Sequence, residues 1–330
     1  MVKLYLQSWE VRRHMKNFAD LLTNRIKELD NPTVMGLDPK LEYIPNEIVA
    51  KWVMEYPDDN DRSTAEAIYE FNVGLINAVC DIVPAIKPQF AYYEMYGIKG
   101  IEVLLRTIDY AQSKGMLVIA DAKRNDIGST ATAYAEGIIG KTLMTHGVEE
   151  IKFGADAVTV NGYLGIDGVK PFIDVCKRDG KGIFTLVRTS NPSAGDLQDL
   201  KLEDGRTVYQ LMADKVQEWG SDLIGENGFS SVGAVVGATV PEQAVEARKR
   251  MPNALILVPG YGAQGAGPDA AVASFTKEGT GSIVNASRSL MCAWKKAENL
   301  KPTKFAEATR REAIDMKMLL NAALKDRKFV

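Results

Sequence analysis

Eight short apolar runs punctuate this 330-residue chain, at residues 34–37, 81–87, 116–121, 157–160, 182–187, 231–236, 254–258 and 282–285. None alternates apolar with polar as a half-solvated strand would. Near-continuous apolar character marks strands covered on both faces, the situation in parallel sheets. Helical spacing fills the gaps. Ile68, Phe71, Leu75, Ile76 and Val79 share one stripe, with Ser63-Thr64-Ala65-Glu66 in capping-box spacing as the expected start. Ile101, Leu104, Leu105 and Ile108 repeat the pattern before Lys114-Gly115, as do Val169, Phe172, Ile173 and Cys176 before Gly180. Eight strand–helix units without a linker predict one closed (β/α)8 TIM barrel, an α/β fold occupying residues 1–330 as a single domain. Residues 1–30 would flank it at the N-terminus, and residues 302–330 would add a C-terminal helix. An open doubly wound sheet competes, but no Gly-x-Gly-x-x-Gly follows the first strand.

In a barrel the chemistry sits at the C-terminal ends of the strands. Strand 1 ends in Asp38, strand 2 in Lys87-Pro88-Gln89, and strand 3 in Asp121-Ala122-Lys123-Arg124-Asn125-Asp126. Any one of these charges could be a salt-bridged rim residue. Alternating acid and base at three consecutive strand ends points instead to a functional site, because converging charges are costly unless paired. Asp121 and Lys123 are two residues apart, which on an extended backbone places both on one face. Across the mouth, strand 7 runs into Pro259-Gly260-Tyr261-Gly262-Ala263-Gln264-Gly265, and strand 8 into Asn285-Ala286-Ser287-Arg288. Loops after the seventh and eighth strands commonly bind phosphate, with glycines exposing N–H groups and an arginine adding a charged fork. The run Thr189-Ser190-Asn191-Pro192 after strand 5 could read the edge of a heterocycle or simply make a turn.

Composition narrows the reaction. The two histidines, His14 and His146, cannot supply a three-histidine metal site, and neither stands at a strand end. Cys80, Cys176 and Cys292 form no zinc or disulfide pattern. A net charge of −3 gives no general field for nucleic acid or an anionic membrane, and a cytosolic, reduced, soluble protein is expected. What remains is a lysine held among aspartates. Such an ammonium can stabilise a carbanion and then protonate it, so decarboxylation without cofactor or metal fits. Schiff-base chemistry would need a lysine of lowered pKa, which neighbouring carboxylates oppose.

The stretch Asp121-Ala122-Lys123-Arg124-Asn125-Asp126-Ile127-Gly128-Ser129-Thr130 closely resembles the signature of the orotidine 5′-phosphate decarboxylase family, in its longer bacterial branch. Gly36-Leu37-Asp38-Pro39, Lys87-Pro88-Gln89, the strand 5 loop and the two phosphate loops match in order and spacing. The resemblance implies UMP formation, the last step of pyrimidine synthesis. Asp121 would then face the departing carboxylate and Lys123 would protonate C6, while Lys87 and Asp38 complete the charge network and hold ribose hydroxyls. It further implies a homodimer in which Asp126 and Thr130 serve the neighbouring subunit's site. Ser190 would bind the pyrimidine; Gln264, with Gly265 in the lid loop, and Arg288 would grip the phosphate. Asn125 stands where glycine is usual and still tolerates a left-handed turn. Two rivals remain open: a metal-dependent sugar-phosphate decarboxylase or aldolase on the same barrel, and a non-catalytic nucleotide-phosphate binder.

Overall fold

The computed structural model describes residues 17–262 and 265–326. Eight parallel strands, Thr33–Leu37 (β1), Ala85–Pro88 (β2), Leu117–Arg124 (β3), Ala157–Val160 (β4), Gly182–Arg188 (β5), Ser230–Val236 (β6), Ala254–Val258 (β7) and Ser282–Ala286 (β8), close into a barrel in chain order. β1 completes the ring by pairing Thr33 with Val284 of β8 and Val34 with Ala85 of β2. The apolar runs have no polar side because both faces are buried. Val34, Ala85, Ile119, Ala157, Phe184 and Ile283 fill the barrel, while Met35, Ile86, Val118, Val158 and Ile183 pack outward against the helices. Sequential order places the ends of β1, β2, β3 and β4 side by side at one rim, so Asp38, Lys87 and Asp121 become neighbours through topology alone.

The opposite end is plugged. Helix Phe18–Leu29 inserts Phe18, Ala19 and Leu22 among the strand starts, with Phe18 edge-on to Phe184 at 6.0 Å between ring centroids. Gly182 makes the space, since a Cβ there would lie 2.1 Å from the Phe18 ring. Asn17 caps this helix by accepting from the Ala19 and Asp20 amides, and the buried Asp20 carboxylate accepts from the Glu226 and Asn227 amides. Phe18→Ala should therefore cost about 3–5 kcal/mol, read as a lower urea midpoint with an unchanged slope. A loss below about 1 kcal/mol would mean that the plug is dispensable.

Three local features differ from expectation. The helix expected to open at Ser63 starts at Asn60 instead, because the Asp59 carboxylate caps it by accepting from the Arg62 amide. Ser63 lies inside that helix, bonded to the Asn60 carbonyl. A further helix, Asn46–Glu55, occupies the long first connection and packs on Asn60–Val79. A small antiparallel hairpin, Thr142–Leu143 with Glu149–Glu150, precedes β4; strands of two residues leave no periodicity to detect. The C-terminal helix Phe305–Asp326 packs against Asn60–Val79, with Phe305 tilted on Phe71 at 5.0 Å. Among the described residues, no helix is long and apolar enough to cross a membrane.

Candidate active site

The rim of β1 to β4 converges on one carboxylate. Asp121 is buried, and its four side-chain donors come from the end of β2, from β4 and from its own strand. Lys87 Nζ (2.6 Å) and Gln89 Nε2 (3.0 Å) reach Oδ2; Lys123 Nζ (2.6 Å) and Thr159 Oγ1 (3.0 Å) reach Oδ1. Burial alone would raise the Asp121 carboxyl, but the ammonium groups of Lys87 and Lys123 hold it far below the usual carboxylate range. Burial likewise opposes the Lys87 charge, and the carboxylates of Asp121 and Asp38 overcome it and raise its pKa. Asp121 and Lys87 therefore stay charged at neutral pH.

The two lysines occupy different settings. The Lys87 side chain is 6% exposed, a charge locked in the wall, whereas that of Lys123 is 46% exposed and stands at the opening. Asp121 and Lys123 do meet, but not by simple strand alternation. The pairing of β3 with β4 slips between Ala120 and Arg124, and Lys123 itself is left-handed at φ 47°. Asn125, where glycine is usual, does not take the left-handed position. A left-handed backbone costs a lysine about 1–2 kcal/mol, so the surroundings must hold it there. The Lys123 amide donates to Thr159 Oγ1 at 2.9 Å.

Asp38 is half-buried, and its Oδ1 has no hydrogen-bond partner among the described residues, an acceptor suited to a ligand hydroxyl. Asp126 is not part of the Asp121 cluster. Its Oδ1 accepts the Ile127 amide, and it forms no ion pair with Lys123 in its own chain, so that lysine is not clamped between two aspartates within one subunit. Thr130 is exposed on helix Gly128–Ile138. A cavity of about 490 Å³ runs from Lys87, Asp121 and Lys123 to Ser190. Its apolar wall is Leu186, Val235, Leu257 and Pro259. Arg288 opens the short helix Arg288–Met291 after β8, and Gly265 takes φ 91° in the loop after β7. Gln264 lies outside the described residues. No group of three His, Cys, Asp or Glu among the described residues could hold a metal ion.

Four residues that sequence reasoning did not single out shape this site. Gln89 and Thr159 complete the Asp121 shell. Gln198 lines the cavity and pins Thr189 through its amide (2.9 Å) and hydroxyl (2.8 Å). Behind it the buried Arg188 guanidinium donates to Gln243 (2.7 Å), Asp199 (3.1 Å) and the Thr189 carbonyl (2.8 Å). The loop after β5 is thus braced from beneath, which a run of small polar residues does not reveal.

The sequence profile of the Orotidine 5'-phosphate decarboxylase / HUMPS family matches residues 60–302. This chain belongs to that family. The matched span contains Lys87, Asp121, Lys123, Asp126, Thr130, Ser190 and Arg288; Asp38 precedes it. A Rhodopirellula baltica orotidine 5'-phosphate decarboxylase is 44% identical over 284 residues, covering 86% of this chain and 91% of its own. One from Caldicellulosiruptor saccharolyticus is 38% identical over 310 residues, covering 94% and 100%. Among solved structures, Leishmania donovani OMP decarboxylase is similar, with a TM-score of 0.66, 30% identity, and coverage of 92% of this chain and 99% of that one. Leishmania donovani UMP synthase gives 0.73 at 30% identity, covering 96% of this chain and 58% of that longer one.

Proposed function

We propose that this chain decarboxylates orotidine 5′-monophosphate to UMP and CO2 without a cofactor. The observation that carries this reading is the Asp121 carboxylate shared by two ammonium groups, one buried and one at the cavity mouth. With the pyrimidine carboxylate beside Asp121, two like charges ~4 Å apart at an effective dielectric near 20 repel by roughly 4 kcal/mol. Binding at the phosphate and ribose offsets that cost. The bond from C6 to the carboxyl carbon breaks, CO2 departs, and the electron pair left on C6 lies against the Lys123 ammonium. Lys123 gives C6 its proton and recovers one from solvent.

The remaining roles follow from position. Lys87 and Asp38 hold ribose hydroxyls, and the unpartnered Asp38 Oδ1 supports this. Ser190 binds the base, and Gln264, Gly265 and Arg288 take the phosphate. Asp126 and Thr130 serve a second copy's site in a homodimer. Supporting the dimer, Ile127, Tyr163, Leu164 and Ile166 are exposed beside helix Gly128–Ile138, whose outer face presents Ser129, Thr130, Thr132, Ala133 and Tyr134 without a charge. The cytoplasm, which keeps thiols such as Cys80, Cys176 and Cys292 reduced, is the place of action.

Lys87 also argues against the metal-dependent alternative, since its ammonium fills the position on Asp121 Oδ2 that a divalent ion would need. Purified protein should consume orotidylate, followed by ultraviolet absorbance, at the same rate with and without EDTA, and UMP should accumulate. Absence of turnover at saturating orotidylate would overturn the assignment, and EDTA sensitivity would restore the metal reading.

A further inference from the structure

We propose that Thr159 is a positioning residue for the decarboxylation, joining the proton-donating lysine to the carboxylate beside the reacting bond through one hydroxyl. This rests on the function proposed above. Thr159 sits on β4, is 1% exposed, and lies in the run Ala157-Val158-Thr159-Val160, otherwise wholly apolar. A hydroxyl has one hydrogen to give and lone pairs to accept with. At Thr159 both are committed: the hydrogen goes to Asp121 Oδ1 at 3.0 Å, and a lone pair takes the Lys123 amide at 2.9 Å. Asp121 Oδ1 also receives Lys123 Nζ at 2.6 Å. Hydroxyl, carboxylate and ammonium therefore close a loop that runs from the Lys123 main chain back to its own side-chain tip.

The loop closes where the backbone is least relaxed. Lys123 is one of three described non-glycine residues at positive φ, and the pairing of its strand with β4 slips there. Such a conformation persists only when surrounding bonds over-determine it. Thr159 supplies the side-chain bond that holds the Lys123 amide, and threonine's β-branch restricts χ1 so that the hydroxyl stays aimed. Valine at this position would keep the shape but leave the Lys123 amide and Asp121 Oδ1 each short of a partner. Asp121 would still bind Lys123, yet Lys123 Nζ would no longer be fixed relative to the C6 position. Small displacements of a reacting group cost rate far more than they cost binding.

Three proteins compared side by side test this: wild type, Thr159→Val and Thr159→Ser. Valine should lower kcat by about 10²-fold, with the dissociation constant of UMP little changed and the melting temperature lowered by a few degrees for the two unmade bonds. Serine keeps the hydroxyl and should recover kcat to within a few-fold of wild type. Unaltered kcat in the valine variant would reduce Thr159 to strand filler. Equal losses in the valine and serine variants would assign the effect to the methyl group's packing, and a matching loss of UMP affinity would make Thr159 a binding residue; either result overturns the proposal. Should valine prevent folding, Thr159→Ala stands in its place against the same serine control. A wild type that leaves orotidylate unchanged would refute the function itself, an outcome distinct from any difference among variants.

Discussion

Lys123→Ala should lower kcat by at least about 10⁴-fold, the combined size expected for losing a proton donor and a charge aimed at a developing carbanion. Its affinity for UMP should persist. Two tasks meet on one atom: Nζ faces the electron pair left by CO2 and then supplies the proton. Folding should be nearly indifferent, since the side chain is 46% exposed and Lys87 still neutralises the buried Asp121. Substrate and product should nevertheless separate. Without the Lys123 ammonium the cavity keeps Asp38, Asp121 and a single lysine, so it repels the additional carboxylate of orotidylate. UMP lacks that group. The variant should therefore bind UMP much as wild type does while its KM for orotidylate rises. Steady-state assays and calorimetric UMP titration measure the two effects separately. Near-normal kcat would remove the proton-donor role, and a parallel collapse of UMP affinity would turn Lys123 into a simple anchor.

How much of this site is legible in the sequence depends on whether a residue's position follows from topology or from local geometry. Asp38, Lys87 and Asp121 are legible because barrel strands run in chain order, so consecutive strand ends must adjoin. The contact of Lys123 with Asp121 is legible for the wrong reason. Extended alternation would deliver it, yet the real backbone slips register and turns left-handed at the lysine itself. Intrinsic preference favours asparagine for such a turn, and Asn125 is the natural candidate. The choice falls on Lys123, where the Thr159 hydroxyl awaits its amide, a cross-strand bond that no spacing rule encodes.

The same division holds for the scaffold. Both-face burial can be read from the eight runs, and Phe305–Asp326 from its helical spacing. The plug cannot, because Phe18 gains its place only where Gly182, far along the chain, leaves a hole. Arg188 is hidden for an opposite reason. An arginine at a strand end looks like a rim charge, and only its own burial and its bonds to Asp199 and Gln243 mark it as a brace. Long-range polar pairs of this kind carry no periodic trace.

Asp126 gives the second large effect, and it depends on the assembly rather than on one chain. Within its own subunit it bonds the Ile127 amide and does not pair with Lys123, so its carboxylate is not spent on the local cluster. In a homodimer with shared sites, Asp126→Ala should lower activity by about 10²-fold or more, through loss of one charge from the partner's network. Co-refolding equal amounts of the Asp126→Ala and Lys123→Ala chains then distinguishes sharing from self-service. A mixed dimer places the intact lysine of one chain beside the intact aspartate of the other at one site, and leaves both defects at the second. Random pairing makes half of the dimers mixed, so activity should return to about a quarter of wild type. If Asp126 serves its own chain, every site in the mixture carries one defect and nothing returns. Recovery to about a quarter, against none, therefore decides whether Asp126 reaches across.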